Sequence, residues 1–511
     1  MGNSILRTYK DFSFGWVPDQ VEKDPDNIPD NGLELADNVD INGRGGPCKR
    51  PGSAKLNSVS YGANCKQVDE WEKSDSSVQL IGVVGTDFCF FAEDGAKTIV
   101  QALNASAGKA WWFPTITGGA DNLYFGDSYK YFVWNGTTSA EVTPAAGADL
   151  TFVKAAKKVI WHSKSHRYFA IKNGSSGVNY SEPDDPTYFK ATNMLYPTQA
   201  EGSPVGIEEF GDAILVRFQT GAYIWRGYDP TADVVWLPIP LRVGGFNPYD
   251  SAIIEGSLVF PGRGGIYAPG MSLLGTNITA EASGDLVPNV AQGRVTSVIE
   301  SITNAATVCT IDDPSSGKTY IAYTDVANAT TNSKVLVWQR KKGGGFTRYL
   351  GWNVNHWCLR KNGDLLFATN NYIMKTKQTA FNDDGVAISF ALKTKWFSFG
   401  DELMNYIKAL YLTYLTSQQN QTASSVDLTV DVDNGSLGVS HTGISLNTGF
   451  VWGQVWGGTW GAPAIITKER ETYLEGLRFQ STLENNTVNE AIDIYAIAFR
   501  FKVGRPEGDL A

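Results

Sequence analysis

A strand-turn-strand pattern recurs about every 40 to 50 residues along most of this chain, and a unit of that kind cannot bury its own apolar face without like neighbours. One copy is YKYFVWNG at 129–136, where Tyr129, Tyr131 and Val133 alternate with Lys130 and Phe132 before the turn pair Asn135-Gly136. Similar copies begin near Phe88, His166, Ala213, Ser257, Thr319 and Asp364. Radial stacking of such units predicts an all-β chain with a β-propeller of about six blades over residues 67–385. From Asp384-Gly385 onward the runs lengthen, as in Ala387 to Leu392, Ile407 to Tyr414, Val426 to Val432, Leu477 to Gln480 and Ile492 to Phe501. Their residues of one parity are mostly apolar, which predicts a C-terminal antiparallel β-sandwich over residues 386–511. Helix is expected only within Ala280 to Val298 and near Thr376.

Composition narrows the function. Charged residues are sparse at 19%, aromatics abundant at 12%, and the 53 glycines fall mostly between short apolar runs. A net charge of −10 gives no global electrostatic footprint for wrapping nucleic acid or inserting at an anionic membrane. Cys48, Cys65, Cys89, Cys309 and Cys358 are odd in number and form no CxxC pair, so reduced thiols are expected rather than a disulfide framework or a zinc ribbon. Met1 to Leu6 lacks a basic region followed by an apolar one, and no run approaches about 18 apolar residues, so neither export by a signal peptide nor membrane spanning is expected.

Residues 1–66 read as an extended acidic arm. Asp19, Glu22, Asp24, Asp26, Asp30, Glu34, Asp37 and Asp40 face one base, Lys23, with Pro18, Pro25 and Pro29 interleaved. Proline disfavours helix and central strand, and like charges keep the segment open. Asp24-x-Asp26 offers calcium-type oxygen ligands, but no third acid stands at Ile28 and no glycine at Pro29, so the EF-hand pattern fails.

No catalytic, cofactor or metal residue is nominated. His162 and His166 share strand parity without a third ligand at zinc-like spacing. No G-x-S-x-G elbow marks a nucleophile, no S-x-D-x-G-x-x-W series marks a sialidase-like propeller, and the scattered acids offer no glycosidase pair. Lys342-Gly343-Gly344-Gly345 lacks the K-[ST] of a phosphate loop and reads as a hairpin connection. Lys154, Lys157, Lys158, Lys164 and Arg167, interleaved with Trp161 and Tyr168, are candidate phosphate or partner contacts, weighed against a solvated strand face. Trp452, Trp456 and Trp460 share parity if extended, but the glycines between them favour a folded loop.

Several short motifs, taken in order, carry a resemblance. Asn38-Val39-Asp40-Ile41 followed by Arg50-Pro51-Gly52 is similar to the opening motif of tail hub and nozzle proteins of short-tailed bacteriophages. Asn179-Tyr180-Ser181 with Asp185-Pro186-Thr187 resembles the same family's next element, although Tyr188-Phe189 stands where relatives often carry tryptophan. Gly265-Ile266-Tyr267, Lys395-Trp396 after Thr394, and the closing Gly504-Arg505 extend the resemblance over nearly the whole chain. It implies a non-enzymatic virion tail component, assembled in the bacterial cytoplasm as a hexameric ring. Its implied partners are head-tail adaptor proteins, tail fibres or tailspikes, and the viral double-stranded DNA that crosses its channel. A propeller-based carbohydrate-binding protein or glycoside hydrolase, and a baseplate component of a long-tailed phage, are the alternatives. Within this reading Asn38, Asp40 and Arg50 are expected to anchor a mobile arm against the first blade, with Gly52 allowing the turn.

Overall fold

The computed structural model describes residues 5–23, 28–117, 119–197, 202–239, 244–254, 257–267, 294–340, 344–377, 379–398, 405–415, 424–432, 437–446 and 465–503. Almost all of its regular structure is strand, and the propeller arrangement is plain from the sheet order. Six blades are distinguished: four are separate four-stranded sheets, and the fifth and sixth are four-strand portions of an eleven-stranded and a six-stranded sheet. The first four begin with the strands Cys65–Glu72, Trp111–Thr117, Ala156–His162 and Gly206–Phe210. The fifth begins with Cys309–Asp313 and the sixth with His356–Leu359. Between the fourth and fifth, the strands Ala252–Ile254, Ser257–Gly262 and Gly265–Tyr267 form a three-stranded sheet in a blade position. The seven hairpin copies legible in the sequence fall one to each of these units, because each is the blade segment in which apolar alternation runs into a glycine or asparagine turn.

Aromatic contacts join most neighbours. Phe88 of the first blade stacks on Phe125 of the second at 4.0 Å, Phe113 meets Tyr168 of the third at 4.4 Å, and Phe169 meets Trp225 of the fourth at 5.4 Å. Such ring pairs add to the burial that locks blades together. The seam between the fourth blade and the three-stranded sheet is ionic instead, with buried Arg217 on Asp250 at 2.6 Å.

The ring is closed by a strand from the beginning of the chain. Gly52–Lys55 lies antiparallel to Ile373–Lys377 and completes the sixth blade, pairing Lys55 with Met374 and Gly52 with Lys377. Gly52 has no positive φ. Its need for glycine comes from close approach, since a Cβ there would stand 2.0 Å from the Asn382 carbonyl oxygen. Gly52→Ala is therefore expected to lower stability by about 1–3 kcal/mol, the usual range for overpacking, as a shift in denaturation midpoint at unchanged m-value.

Residues 1–66 are thus not a free arm. The helix Pro18–Lys23 starts on a proline, a position where the missing N–H costs nothing, so the prolines did not exclude helix. The acids do not repel one another because most of those described have their own partner. Asp19 accepts from the backbone N–H groups of Thr296 and Ser297 at 2.7 and 2.8 Å, at the start of the short helix Thr296–Glu300. Asp30 pairs with Lys395 at 2.5 Å, Glu34 with Lys393 at 2.7 Å, and Asp37 with Arg348 at 2.7 Å. Asp24 and Asp26 lie outside the described residues, and so do the three tryptophans 452, 456 and 460. Thr376, expected near a helix, is in strand Ile373–Lys377.

Nor is 386–511 a self-contained unit. The outer strand of the fifth blade, Gly345–Val354, continues through Gly15–Trp16 and Gly32–Asp37 into Phe390–Thr394, Arg478–Asn485, Ser425–Val432 and Leu437–Ser445 as one sheet. A further four-stranded sheet runs Ile5–Tyr9, Ile494–Val503, Asn405–Leu415, Ile465–Gly476. Leu392, Leu428, Phe479 and Leu483 of the long sheet share one buried apolar cluster with Ile497, Phe499 and Phe501 of the other. Three strands from the first forty residues, Ile5–Tyr9, Gly15–Trp16 and Gly32–Asp37, are built into these sheets.

Candidate functional site: an arginine junction and an axial cavity

The opening motif converges on Arg50, whose guanidinium is fully buried. Its five N–H donors are all used. Nε donates to Asn38 Oδ1 at 2.7 Å, Nη1 to the Pro51 carbonyl at 3.0 Å and Asp383 Oδ1 at 3.1 Å, and Nη2 to the Leu350 carbonyl at 2.9 Å and Asp383 Oδ2 at 2.5 Å. The cation also lies over Trp352 at 4.7 Å and Tyr349 at 5.4 Å. Asn38 takes φ 55°, a conformation asparagine tolerates better than most residues, and its Nδ2 donates to the Ser389 carbonyl at 2.6 Å. Asp40 is enclosed by Lys318 and the Tyr349 hydroxyl, both from the fifth blade. The motif therefore contacts the fifth blade and the junction beyond the sixth, whereas the first blade was expected. A pocket of about 480 Å³ opens beside this junction, lined by Arg50, Asn38, Trp352, Asn371, Tyr372 and Asp383 among others.

The remaining motif residues serve the third blade and the arm. Tyr180 lies under Arg167 at 5.4 Å, and the Ser181 hydroxyl accepts from Tyr168 N–H at 3.0 Å. Asp185 accepts from Thr187 N–H at 2.8 Å, and the Pro186 carbonyl accepts from the Tyr131 hydroxyl of the second blade at 3.0 Å. Lys395 donates to the Ile28 carbonyl at 3.1 Å beside half-buried Trp396. Gly504 and Arg505 lie outside the described residues.

The cationic run does not form one surface. Lys154 pairs with Glu141 at 2.8 Å, Lys158 with Glu208 at 3.4 Å, Lys164 with Asp212 at 3.0 Å, and Arg167 with Glu182 at 3.3 Å. Lys157 alone of the five shows no acidic partner among the described residues. Intramolecular pairing of the other four explains why sequence proximity overstated their availability. His162 is buried with Nδ1 2.8 Å from the Ser165 hydroxyl, while exposed His166 pairs with Asp184 at 3.2 Å, so the two face different surroundings.

Apart from Lys158, sequence reasoning missed the polar groups at the propeller axis. The first strands of neighbouring sheets adjoin there and enclose a cavity of about 260 Å³. Asp69, Trp111, Trp112, Lys158, Tyr249, Thr310 and His356 line it, drawn from almost every unit of the ring. Burial pushes Asp69 up to about 6, against the hydrogen bonds from Glu70 N–H and Trp112 Nε1. His356 is held neutral, at about 3, by burial and then by the nearby Lys109 charge, with Nδ1 3.0 Å from the Val68 carbonyl. Glu208 resists a strong burial effect and is held at about 2 by Arg217 and Lys158. These residues are scattered along the sequence, so only the closed ring brings them together.

Because Asp69 has a raised folded value, about 6 against roughly 3.9 when unfolded, the unfolded chain releases that proton first between those pH values. Stability from this group is present below about pH 4 and is lost as pH rises through about 6. Asp69→Asn is expected to be more stable than the parent by about 2–3 kcal/mol at pH 7, with the gap closing by about pH 4. His356 changes stability with the opposite sign, so the difference between parent and variant in urea titrations at several pH values isolates Asp69.

No family model and no curated protein matches the chain. Many solved structures are similar. A streptogramin B lyase is 11% identical with a TM-score of 0.42, over 64% of this chain and 97% of that one. The β-propeller domain of Cps50 (Swd1) from Myceliophthora thermophila gives 11% and 0.42 over 64% and 100%. PorZ of the Porphyromonas gingivalis type-IX secretion system gives 11% and 0.39 over 69% of this chain and 44% of that one. At such identities and scores these likenesses carry no argument about activity, and the assignment of the propeller rests on the sheet order itself.

Proposed function

We propose that this chain is a structural component of a virion tail, a hub or nozzle ring that docks beneath the portal and its adaptor and extends the DNA channel. The observation that supports this reading most is the Arg50 junction. The opening motif that resembles tail hub and nozzle proteins is there spent on tying the propeller's closure to the long sheet, and such interlocking suits a load-bearing scaffold. The long sheet and its four-stranded neighbour are read as the two layers of an antiparallel β-sandwich, on the strength of their shared apolar cluster. The propeller and the sandwich then act as one rigid subunit without a catalytic step.

In this reading six subunits form the ring, with adaptor proteins above, fibres or tailspikes at its side and double-stranded DNA on its axis. Six charges of −10 total about −60, so a channel lined by acidic and neutral polar groups would keep phosphates from adhering during ejection. The assembled ring is expected to show no tight, salt-sensitive binding to duplex DNA in titrations between low and physiological salt. A steep loss of binding with added salt contradicts an acidic lining.

A further inference from the structure

We propose that the pocket beside the Arg50 junction binds a neutral saccharide, with the side-chain amides of Asn353, Asn370 and Asn371 and the Asp383 carboxylate as its hydroxyl contacts. The site comes together only in the closed ring. Its walls come from the closing strand Gly52–Lys55, the outer strand of the fifth blade, the turn from Thr369 to Tyr372 in the sixth, and the hairpin around Asp383 and Val386. Residues of all four border one space of about 480 Å³, within the usual range for a small-molecule site and roughly sixteen times the volume of one water. Its charges select against an ionic ligand. The four charged lining residues pair off, Asp383 with Arg50 at 2.5 Å and Asp384 with Lys55 at 2.8 Å.

What the pocket leaves unused is hydrogen-bonding capacity. Asn353, Asn370 and Asn371 are exposed, and their side chains make no hydrogen bond among the described residues. The turn carrying two of them is fixed from within and from outside. Thr369 N–H and Oγ1 donate to the Tyr372 carbonyl at 2.9 and 3.1 Å, and the Asn371 carbonyl accepts from Tyr61 N–H at 3.0 Å. Asp383 adds a pinned acceptor. Its Oδ1 accepts from Arg50, Ser53 and Trp352, whereas Oδ2 accepts only from Arg50 among the described residues. Gly351 keeps that second oxygen open, since a Cβ there would stand 3.7 Å from it. A sugar hydroxyl both donates and accepts, and each amide offers both an N–H and a carbonyl oxygen. A hydroxyl donating to Asp383 Oδ2 makes the stronger, charge-assisted kind of bond. Exposed Val386 and the Tyr372 ring offer apolar surface to the C–H face of a sugar. Peptide recognition uses a free sheet edge or an apolar groove, while this concavity presents side-chain amides and paired charges. The site is independent of the tail proposal.

The test is saturation-transfer NMR on the full chain with cellobiose, lactose and N,N′-diacetylchitobiose, and with N-acetyl-alanine amide as a peptide probe. At least one disaccharide is expected to give a saturable signal. Asn353→Ala and Asn371→Ala should each weaken it about 5–10-fold, the loss of one hydrogen bond, and the double variant should abolish it. Both side chains are exposed, so the single variants are expected to melt with the parent. No saturable signal from any disaccharide, unchanged affinity in both single variants, or a signal from the peptide probe alone each overturns the proposal.

Discussion

Replacing Arg50 with methionine is expected to lower stability by about 3–5 kcal/mol, the range for breaking a buried ion pair from one side. The side chain has no exposed surface, and five hydrogen bonds plus two aromatic faces surround it. Its loss leaves Asp383 with only the Ser53 hydroxyl at 2.8 Å and Trp352 Nε1 at 3.0 Å among the described residues, and leaves the Leu350 and Pro51 carbonyls short of a donor. Methionine fills much of the volume, so the deficit is mainly polar. Lysine keeps the charge but cannot fork across both carboxylate oxygens, so Arg50→Lys should recover only part of the loss. Urea unfolding followed by tryptophan emission measures both, and a midpoint within about 0.5 kcal/mol of the parent for Arg50→Met contradicts the role given to this junction.

The second large effect is expected at Arg217, which is also fully buried. Nε and Nη2 grip Glu208 at 3.1 and 2.7 Å, and Nη1 donates to Asp250 at 2.6 Å. Arg217→Met leaves two carboxylates facing one another in the seam between the fourth blade and the three-stranded sheet, with Lys158 on Glu208 as the remaining cation. A loss of about 3–5 kcal/mol at pH 7 follows, and the pH slope contributed by Glu208 reverses. In the parent, Glu208 is held at about 2, below its unfolded value, so its contribution is present above the unfolded pKa and is lost as pH falls toward 2. Burial already raises Asp250 in the parent, and in the variant the loss of the guanidinium raises both carboxylates, so acid stabilises the variant and its stability falls more steeply as pH rises. Parent and variant stabilities that move in parallel between pH 4 and 7 would contradict this account of the seam.

How much of this could be read from the sequence depended on the range of the interaction. The blade hairpins were legible because each is local: apolar alternation ends in a turn such as Asn135-Gly136, and the copies mark every unit of the ring. The strands Asn405–Leu415, Ser425–Val432 and Ile494–Val503 were legible for the same reason, while Leu437–Ser445 and Ile465–Gly476 were not, since both are rich in polar and charged residues. Ring closure was hidden. Gly52–Lys55 is too short to announce itself, and its partner Ile373–Lys377 is more than three hundred residues away. The acid-rich opening read as a repelling arm because its countercharges, Arg348, Lys393 and Lys395, also come from the far end of the chain. Arg50 stands out within the opening motif, but nothing local could name its partner Asp383. Nothing local marks Arg217, since its pairing with Asp250 exists only in the folded chain.

The proposal that this chain is a tail hub stands or falls on assembly. Native mass measurement of the purified chain, alone and with the adaptor-capped portal that the proposal calls for, tests it most directly. The account predicts addition of six copies of the 55.7 kDa chain to the capped complex, with the free chain remaining monomeric until the adaptor template is present. A single copy, a three-fold set, or no association with the capped portal would contradict it.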